Sequence, residues 1–316
     1  MTTTIMRYVI GLDAGGTKTS AVVLDESKRA VGRGAGGPGN YHSAGKAGTL
    51  AAIQQAIDGA LAQAQLTRAD IRGACFAMSG VDRPADYAVA ETFAQTALPG
   101  VPTRICNDAI AALVSGAGKV EGIVVIAGTG SIVYGFAPDG RSARAGGWGY
   151  HLGDEGSGWW LAEQALFAIA RAHDGRGPAT ALTDQFLAHL SLTKPADLIG
   201  WAYSPAWTRD GVASLAVLTL DAAQAGDAVA LQIVQQGVDA LAQAAQIVAH
   251  KLDMRSAPFD VVLCGSLFRS TLYAHVLRRA LSERTAHARP ILPTVDAAVG
   301  AAWLALEMSK DNSLTA

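Results

Sequence analysis

Hydrophobic positions along the chain change period repeatedly, and each change marks the limit of a predicted element. Apolar, β-branched runs predict three successive strands, at about residues 8–13, 19–25 and 29–35. A helix should follow from about Ser43 to Gln65, because Leu50, Ile53 and Ile57 fall on one helical face. This unit continues with the strand IRGACFAM, a helix near residues 85–97, the strand VPTRIC and a helix from Asp108. The predicted order is βββαβαβα.

The same order begins again after residues 116–121. Its predicted parts are GIVVIAG, SIVYGFA, a short strand near residues 141–145, several helices, FDVVLCG, a helix, ARPILPT and a helix from Asp296. Two segments, CNDAIAALVSG and TVDAAVGAAWL, each place an aspartate between a strand and an alanine-rich helix, which supports a duplication. An aspartate at that position is also what a simple helix N-cap requires.

The predicted fold class is therefore α/β, with two duplicated domains of βββαβαβα order and an interdomain cleft. We expect an N-terminal domain over residues 1–116, closed by a C-terminal helix at 297–316. The C-terminal domain is expected over residues 117–296, with a helical insertion at about 158–255.

Composition excludes several classes of protein. A chain of 316 residues that is 50% hydrophobic can bury two cores of ordinary size. Its apolar runs are shorter than the ~20 residues that cross a bilayer, and the amino terminus passes into a strand without a signal-peptide pattern, so we expect a cytoplasmic protein without a membrane partner. The net charge of −2, without long runs of either sign, predicts no nucleic-acid partner. A small-molecule substrate fits best.

The three cysteines, Cys75, Cys106 and Cys264, are isolated from one another and lie in apolar, strand-like runs. Their spacing matches neither a metal site nor a redox motif, so they are expected to be buried thiols.

The segment YVIGLDAGGTKTSAVVL carries the first candidate chemistry. Gly15, Gly16 and Thr17 form a turn between two β-rich runs, which allows backbone N–H groups to approach a polyphosphate, while Asp13 can hold a metal ion nearby. A Walker A loop would need lysine directly after Gly16, but Lys18 comes one position late. An ordinary hairpin turn stays open as the alternative.

Five motifs in order resemble the superfamily of actin, Hsp70 and sugar kinases, which has two ribonuclease-H-like domains. LDAGGTKT resembles its first phosphate motif, IAGTGS its second and VVLCGSLF its adenosine motif, while CNDAIAAL and VDAAVGAAWL resemble its two connecting helices. GGWGYHLGDEGSGWW is similar to the sugar-binding loop of N-acetylglucosamine kinases, in the BadF/BadG-type ATPase branch. The cysteine cluster of ROK sugar kinases is missing, and three scattered cysteines do not supply the iron–sulfur ligands of activator ATPases.

The resemblance implies roles for particular residues. Asp108 is the expected base that accepts the proton of the attacking hydroxyl. Asp13 is the expected Mg²⁺ ligand. Residues expected to bind ATP are Gly15, Gly16, Thr17, Lys18, Thr129, Gly130, Ser131, Gly265 and Ser266. Residues expected to bind the sugar are Asn40, Ser79, Gly80, Asn107, Asp108, Gly147, Trp148 and Asp154.

The implied activity is ATP- and Mg²⁺-dependent phosphorylation of the 6-hydroxyl of N-acetylglucosamine. Glucosamine kinase is the alternative within the same class, and an activator-type ATPase of the BadF family is the alternative outside it. A homodimer is expected from the resemblance, as is slow ATP hydrolysis when no sugar is present.

Overall fold

The protein is described by a computed structural model that covers residues 8–311, with side chains described as far as Met308. The strands of its first half are β1 (Tyr8–Ala14), β2 (Thr19–Leu24), β3 (Ala30–Gly36), β4 (Ile71–Met78) and β5 (Thr103–Asn107). The helices there are α1 (Tyr41–Ala64), α2 (Pro84–Ala97) and α3 (Asp108–Ala117).

The second half carries the strands β6 (Gly122–Ala127), β7 (Ser131–Phe136), β8 (Ser142–Gly146), β9 (Phe259–Cys264) and β10 (Ala288–Ile291). Between β8 and β9 lie α4 (Gly158–His173), α5 (Leu182–Leu190), α6 (Asp197–Ala202), α7 (Arg209–Ser214), α8 (Ala216–Gln224) and α9 (Ala228–Lys251). Helices α10 (Thr271–Arg284) and α11 (Ala297–Asp311) complete the chain order.

The chain divides into two compact units. Unit 1 contains the described residues up to Val120 and those from Pro293 onward, and unit 2 contains Glu121–Leu292. Sequence reasoning set the corresponding boundaries at residues 116 and 296. Helix α11 therefore packs with the unit that begins the chain.

Each unit is built around one five-stranded sheet. The order in unit 1 is β3-β2-β1-β4-β5, and the order in unit 2, read from the other edge, is β8-β7-β6-β9-β10. In both sheets the first three strands are antiparallel and the last two run parallel to the first. The two sheets share one topology, which confirms the predicted α/β fold with two duplicated domains.

The register of unit 1 brings three strand ends to one edge. Ala14 of β1 pairs with Met78 of β4, and Met78 pairs with Asn107 of β5. Parallel strands end at the same edge of a sheet, and ligands of α/β proteins bind outside these carboxyl ends. Side chains that follow the three strands consequently lie near one another.

Alternating side chains of the unit 1 sheet form two cores. Ile10 and Leu12 pack towards α1 and α2, whereas Val9 and Cys75 pack towards α3 and α11. Strand β3 meets α1 closely through glycine, because a Cβ at Gly34 would overlap the backbone of Ala56. This close contact fixes α1 against the sheet.

Helix α1 begins at Tyr41, two residues before the predicted start. Asn40 caps it by accepting a hydrogen bond from the backbone N–H of His42 at 3.0 Å, and the helix breaks at Gly45, where φ is +70°. The cap has the residue type and geometry that a helix start favours.

The expectation of buried thiols is confirmed for two of the three cysteines. Cys75 and Cys106 are buried and unoxidised, with 3.7 Å between their sulfur atoms, as expected, but Cys264 is partly exposed because it ends its strand. Trp201 and Trp207 pack edge to face at 5.1 Å within the helical insertion and are partly buried against its core.

Within residues 8–311, no single helix is both long and apolar enough to cross a membrane. One bent pair, Arg209–Gln224 with Ala228–Lys251, meets the criteria of length and composition only when joined across an angle of 118°.

Candidate functional site

Asp108 is the first residue of α3 and follows β5 directly. Asn107 caps this helix, since its Oδ1 accepts the Ala109 N–H at 2.9 Å. The amide nitrogen of Asn107 donates to Asp82 Oδ1 at 2.8 Å, which fixes the cap from the other side. The backbone around Asp108 is thus held on both flanks.

The surroundings of Asp108 shift its acidity towards neutral pH. Burial is the largest influence on the Asp108 carboxyl and raises its pKa. The Ala109 N–H lowers this pKa, the charge of Asp82 raises it and a hydrogen bond with Ser79 lowers it, which gives a pKa of about 6. A carboxyl with this pKa is mostly ionised at pH 7 and is a stronger base than an ordinary aspartate.

Three further residues predicted to bind sugar lie beside Asp108 in unit 1. The Asn40 amide donates to Ser79 Oγ at 3.4 Å, and Ser79 is hydrogen-bonded to Asp108 in turn. Gly80 has φ +80°, and a Cβ there would lie 3.3 Å from the Asn40 amide and 2.9 Å from His42 Cδ2. The structure therefore brings together all five predicted sugar residues of this unit, which are Asn40, Ser79, Gly80, Asn107 and Asp108.

The predicted first phosphate loop is a tight turn between β1 and β2. The Gly15 N–H donates to the Lys18 carbonyl at 2.9 Å, which closes the turn, and Gly39 N donates to the Gly15 carbonyl at 2.8 Å. Gly16, Thr17 and Lys18 are exposed at its tip. The tip can approach an anion, with Lys18 supplying positive charge.

Asp13 is the penultimate residue of β1, just before this turn. Burial is the largest influence on its carboxyl and raises the pKa, the charges of Asp108 and Asp296 also raise it and that of Lys18 lowers it, which gives a pKa of about 7. A divalent cation beside these carboxylates would relieve their repulsion, so the donor set suits Mg²⁺, which takes few carboxylates and keeps several waters. Among the described residues, no group of three or more His, Cys, Asp or Glu side chains could hold a metal ion.

In unit 2, the predicted second phosphate loop lies between β6 and β7. It is closed by a hydrogen bond from Gly128 N to the Gly130 carbonyl at 2.9 Å, and the start of α4 holds it through Gly158 N to the Gly128 carbonyl at 2.8 Å. The Trp159 N–H donates to the Thr129 carbonyl at 3.3 Å, and Ser131 Oγ donates to the Glu155 carbonyl at 2.8 Å. The loop is therefore tied to the segment predicted to bind sugar.

Asp154 is buried against this second loop. Its backbone is left-handed, with φ +61°, and its side chain is 3% exposed. Burial raises the pKa of its carboxyl, while Arg209 and the N–H groups of Ser131 and Gly149 lower it. Arg209 Nη2 lies 3.4 Å from Asp154 Oδ2. Asp154 thus links the predicted sugar loop to Gly130 and Ser131.

The other two predicted sugar residues of unit 2 lie at the start of the same loop. Gly147 has φ +69°, and a Cβ there would lie 2.5 Å from the Ile132 side chain. Trp148 is 66% exposed, with the Arg144 guanidinium 5.5 Å from its ring centre. This exposure leaves the Trp148 ring accessible to a ligand.

A cavity of about 500 Å³ opens near the predicted adenosine motif. Ser266 lines it, and Gly265 precedes it with φ +115° and no room for a Cβ over Ala127. The other lining residues come from α7, α8, the short 3-10 turn after β9 and the start of α10: Ala213, Ser214, Ala216, Val217, Leu220, Asp221, Gln224, Leu267, Arg269, Ser270 and Thr271. A lining that combines apolar side chains with hydroxyl, amide and charged groups can take a nucleobase.

Sequence reasoning missed several residues of this arrangement. Asp82 follows β4 in the segment SGVDRP, so its place after a strand was a usable signal. Arg209 and the α8 wall of the cavity lie in the helical insertion, where the sequence shows only amphipathic helices and marks no site.

Comparisons with known proteins match nearly the whole chain. The model of the BadF/BadG/BcrA/BcrD ATPase family covers residues 10–305. The chain is 36% identical over 315 residues to the N-acetyl-D-glucosamine kinase of Dictyostelium discoideum, an alignment of 95% of this chain and 98% of that protein. It is 32% identical over 301 residues to the N-acetylmuramic acid/N-acetylglucosamine kinase of Clostridium acetobutylicum, with 95% and 98% covered.

A solved structure has the same fold. It is a protein of Chromobacterium violaceum named as a candidate N-acetylglucosamine kinase, with a TM-score of 0.75 and 30% identity over 96% of this chain and 99% of that one.

Proposed function

The chain belongs to the BadF/BadG/BcrA/BcrD ATPase family, and from this we propose that it is an ATP-dependent amino-sugar kinase that phosphorylates the 6-hydroxyl of N-acetylglucosamine. Two relatives aligned over 95% of the chain are named kinases of that sugar, which supports the substrate class. The structural observation that carries the proposal is Asp108, a carboxyl with a pKa of about 6 beside Ser79 and Asn40.

The reaction is a phosphoryl transfer with simple atom balance. The sugar O6 attacks the γ-phosphorus, the bond from that phosphorus to the β–γ bridging oxygen breaks, and ADP leaves with the bonding electrons. The hydroxyl proton passes to the Asp108 carboxylate and later to water. Protein groups have only to position the reactants and stabilise charge, because little other covalent chemistry is needed.

Polar groups of unit 1 fit the recognition of sugar hydroxyls. Asn40, Ser79 and Asn107 offer amide and hydroxyl groups around Asp108, and Gly80 lets a ligand come close to the backbone. In unit 2, Gly147, Trp148 and Asp154 are the residues we propose for the rest of the sugar, with Trp148 packing on an apolar sugar face.

The nucleotide is assigned to both phosphate loops and the cavity. Gly15, Gly16, Thr17 and Lys18 are proposed for the phosphates in unit 1, and Thr129, Gly130 and Ser131 in unit 2. Gly265 and Ser266 are proposed beside the adenosine. Asp13 would hold Mg²⁺, which supplies charge neutralisation to the phosphate oxygens when bound.

The test is a coupled assay of ADP release with Mg²⁺ and separate acceptors. These are N-acetylglucosamine, glucosamine, N-acetylmannosamine, N-acetylmuramic acid, glucose and no sugar. We expect strong turnover with N-acetylglucosamine, and ³¹P NMR of the product should show a 6-phosphate monoester. Preference for glucosamine would favour the alternative substrate instead.

The base is tested by Asp108→Asn. This variant should fold and bind sugar, yet lose about 100-fold or more in kcat, because proton abstraction contributes roughly 10²–10⁴. Asp184→Asn is the matched control, since Asp184 is an exposed aspartate in the first turn of α5. Normal turnover by Asp108→Asn would remove Asp108 from the mechanism.

A further inference from the structure

Arg209 brings a positive charge to the glycine of the second phosphate loop. It is the first residue of α7, and its Nη2 lies 2.6 Å from the point where a Gly130 Cβ would stand. Asp154 Oδ2 lies at the same distance from that point. Only glycine leaves room at this position for the guanidinium to approach the loop backbone.

The guanidinium is held in place but not enclosed. Asp154 pairs with Nη2 at 3.4 Å, and the guanidinium carbon lies 5.6 Å from the centre of the Tyr150 ring. The side chain of Arg209 nevertheless remains 45% exposed. A guanidinium has five N–H donors in a planar fork, so one long contact with a carboxylate leaves donors for an anion.

Helix α7 connects this arginine to the candidate nucleobase cavity. Ala213 and Ser214, at the other end of α7, line the cavity of about 500 Å³. Arg209 and Ser214 are five positions apart in the helix, which corresponds to roughly 8 Å at 1.5 Å per residue. A base in the cavity would direct its phosphates along α7 towards Gly130 and Arg209.

We propose that Arg209 is a catalytic residue that donates hydrogen bonds to the transferred γ-phosphoryl group of ATP, with Asp154 and Tyr150 orienting its guanidinium. This inference rests on the proposed kinase function. It gives Asp154 a second task, because the carboxylate predicted to contact the sugar also holds the cation.

The chemistry of the transfer needs a cation at this point. As the bond to the β–γ bridging oxygen breaks and the bond to the sugar oxygen forms, negative charge is spread over the γ-phosphoryl oxygens and the departing ADP. A fixed donor aimed at that charge lowers the barrier without reorganisation, and arginine matches phosphate oxygens with two parallel N–H bonds. Lysine would supply the charge without the fork.

A competing explanation is that Arg209 only neutralises the buried Asp154 carboxylate. In that case replacing the arginine would disturb the sugar loop and raise KM for the sugar. A contact with the γ-phosphoryl group instead affects nucleotides according to whether they carry that group. The two explanations differ in nucleotide binding measured without any sugar.

The first measurement is calorimetric titration of wild type, Arg209→Gln and Arg209→Lys with ADP and with a non-hydrolysable ATP analogue, each with Mg²⁺. We expect Arg209→Gln to weaken binding of the analogue by about tenfold or more, as loss of a charge-assisted hydrogen bond predicts, and to change ADP binding less than twofold. Arg209→Lys should bind the analogue with an affinity between those of wild type and Arg209→Gln. Arg176→Gln is the control, because Arg176 is an exposed arginine that pairs with Asp174 at 2.6 Å in the same unit.

The second measurement is steady-state kinetics. Arg209→Gln should lower kcat by about 10²–10³ while KM for the sugar changes little. Equal weakening of ADP and analogue, or a raised sugar KM with normal kcat, would overturn the inference and leave only the pairing role. If Arg209→Gln fails to fold, as judged by circular dichroism, Arg209→Lys decides by the same criteria.

Failure of the inference is distinguishable from failure of the proposed function. If wild type phosphorylates an amino sugar and Arg209→Gln keeps normal kcat and analogue affinity, only the role of Arg209 is overturned. If wild type has no kinase activity but its analogue binding depends on Arg209, the proposed kinase function is overturned and the contact of Arg209 with phosphate is retained.

Discussion

Asp108 is held between opposing electrostatic influences. Loss of water around the carboxyl and the charge of Asp82 favour its protonated form, while the Ala109 N–H and Ser79 favour the ionised form. The balance gives a pKa of about 6, which lets the group be ionised at pH 7 and still accept a proton during turnover. Asp82 also holds Asn107, so the same carboxylate acts on both the position and the acidity of the base.

This balance predicts the acid limb of the pH profile. Since only the ionised carboxylate accepts a proton, log kcat/KM should fall with a slope approaching one below a pKa of about 6 and level off above it. Asp82→Asn keeps an oxygen acceptor for the Asn107 amide but removes a negative charge. The limb should therefore move to lower pH in this variant.

The profile is checked by measuring kcat/KM from pH 4.5 to 8 at constant ionic strength. Asp58→Asn serves as the control, because Asp58 is an exposed aspartate that pairs with Arg68 on the surface of α1. An acid limb that stays in place after Asp82→Asn, or moves to higher pH, would contradict the electrostatic account.

At the scale of elements, small residues fix α1 relative to the first sheet. Gly32, Gly34 and Gly36 alternate along β3 and face the backbone of α1 at Ala60, Ala56 and Ala52. The helix carries Asn40 at its N-cap, so this close packing also sets the position of a proposed sugar ligand.

Gly34→Ala should therefore destabilise the protein. The new methyl group would overlap the Ala56 carbonyl and lie 2.5 Å from Ala60 N, and overpacking of this kind costs about 1–3 kcal/mol because backbone must shift. Gly48→Ala is the matched change within α1, where the added Cβ meets only Ala44 at 3.7 Å. It should stabilise by about 0.5–1 kcal/mol, since alanine is the better helix former.

Urea unfolding of the two variants and wild type supplies the free energies of unfolding. A Gly34→Ala protein as stable as wild type would show that α1 is not held by this contact. In that event, KM for the sugar should also be unchanged.

The sequence predicts elements better than it predicts contacts. The strands around YVIGLDA and FDVVLC follow from apolar runs, and Asn107 and Asp108 follow from their place between a strand and a helix, so that part of the site was accessible to pattern reasoning. Arg209 was not, because its role depends on α7 folding back onto Gly130. Such a contact joins residues about 80 positions apart in the chain, and neither helical periodicity nor composition encodes it.

At the scale of the whole molecule, duplication supplies two similar sheets that have diverged in their loops. The unit that contains α11 carries the proposed base, Mg²⁺ ligand and part of the sugar contacts. The unit that contains the helical insertion carries the proposed nucleobase cavity and Arg209. The same hairpin loop between the first two strands is proposed for phosphate binding in both units.

If the proposed sugar contacts align the acceptor, ATP should be hydrolysed slowly when no sugar is bound. Water is also a phosphoryl acceptor, but it lacks the hydroxyl pattern that Asn40, Ser79 and Asp108 are proposed to hold, so it gains little of the binding energy that aligns the sugar. We expect sugar-free hydrolysis to be at least about 100-fold slower than transfer to N-acetylglucosamine.

The expected slow hydrolysis is tested by measuring phosphate release with and without the sugar. Asp108→Asn, prepared in parallel, shows how much hydrolysis comes from contaminating enzymes. The activator-type ATPase would be favoured if wild type hydrolyses ATP steadily, faster than the variant and at a rate that sugar does not change.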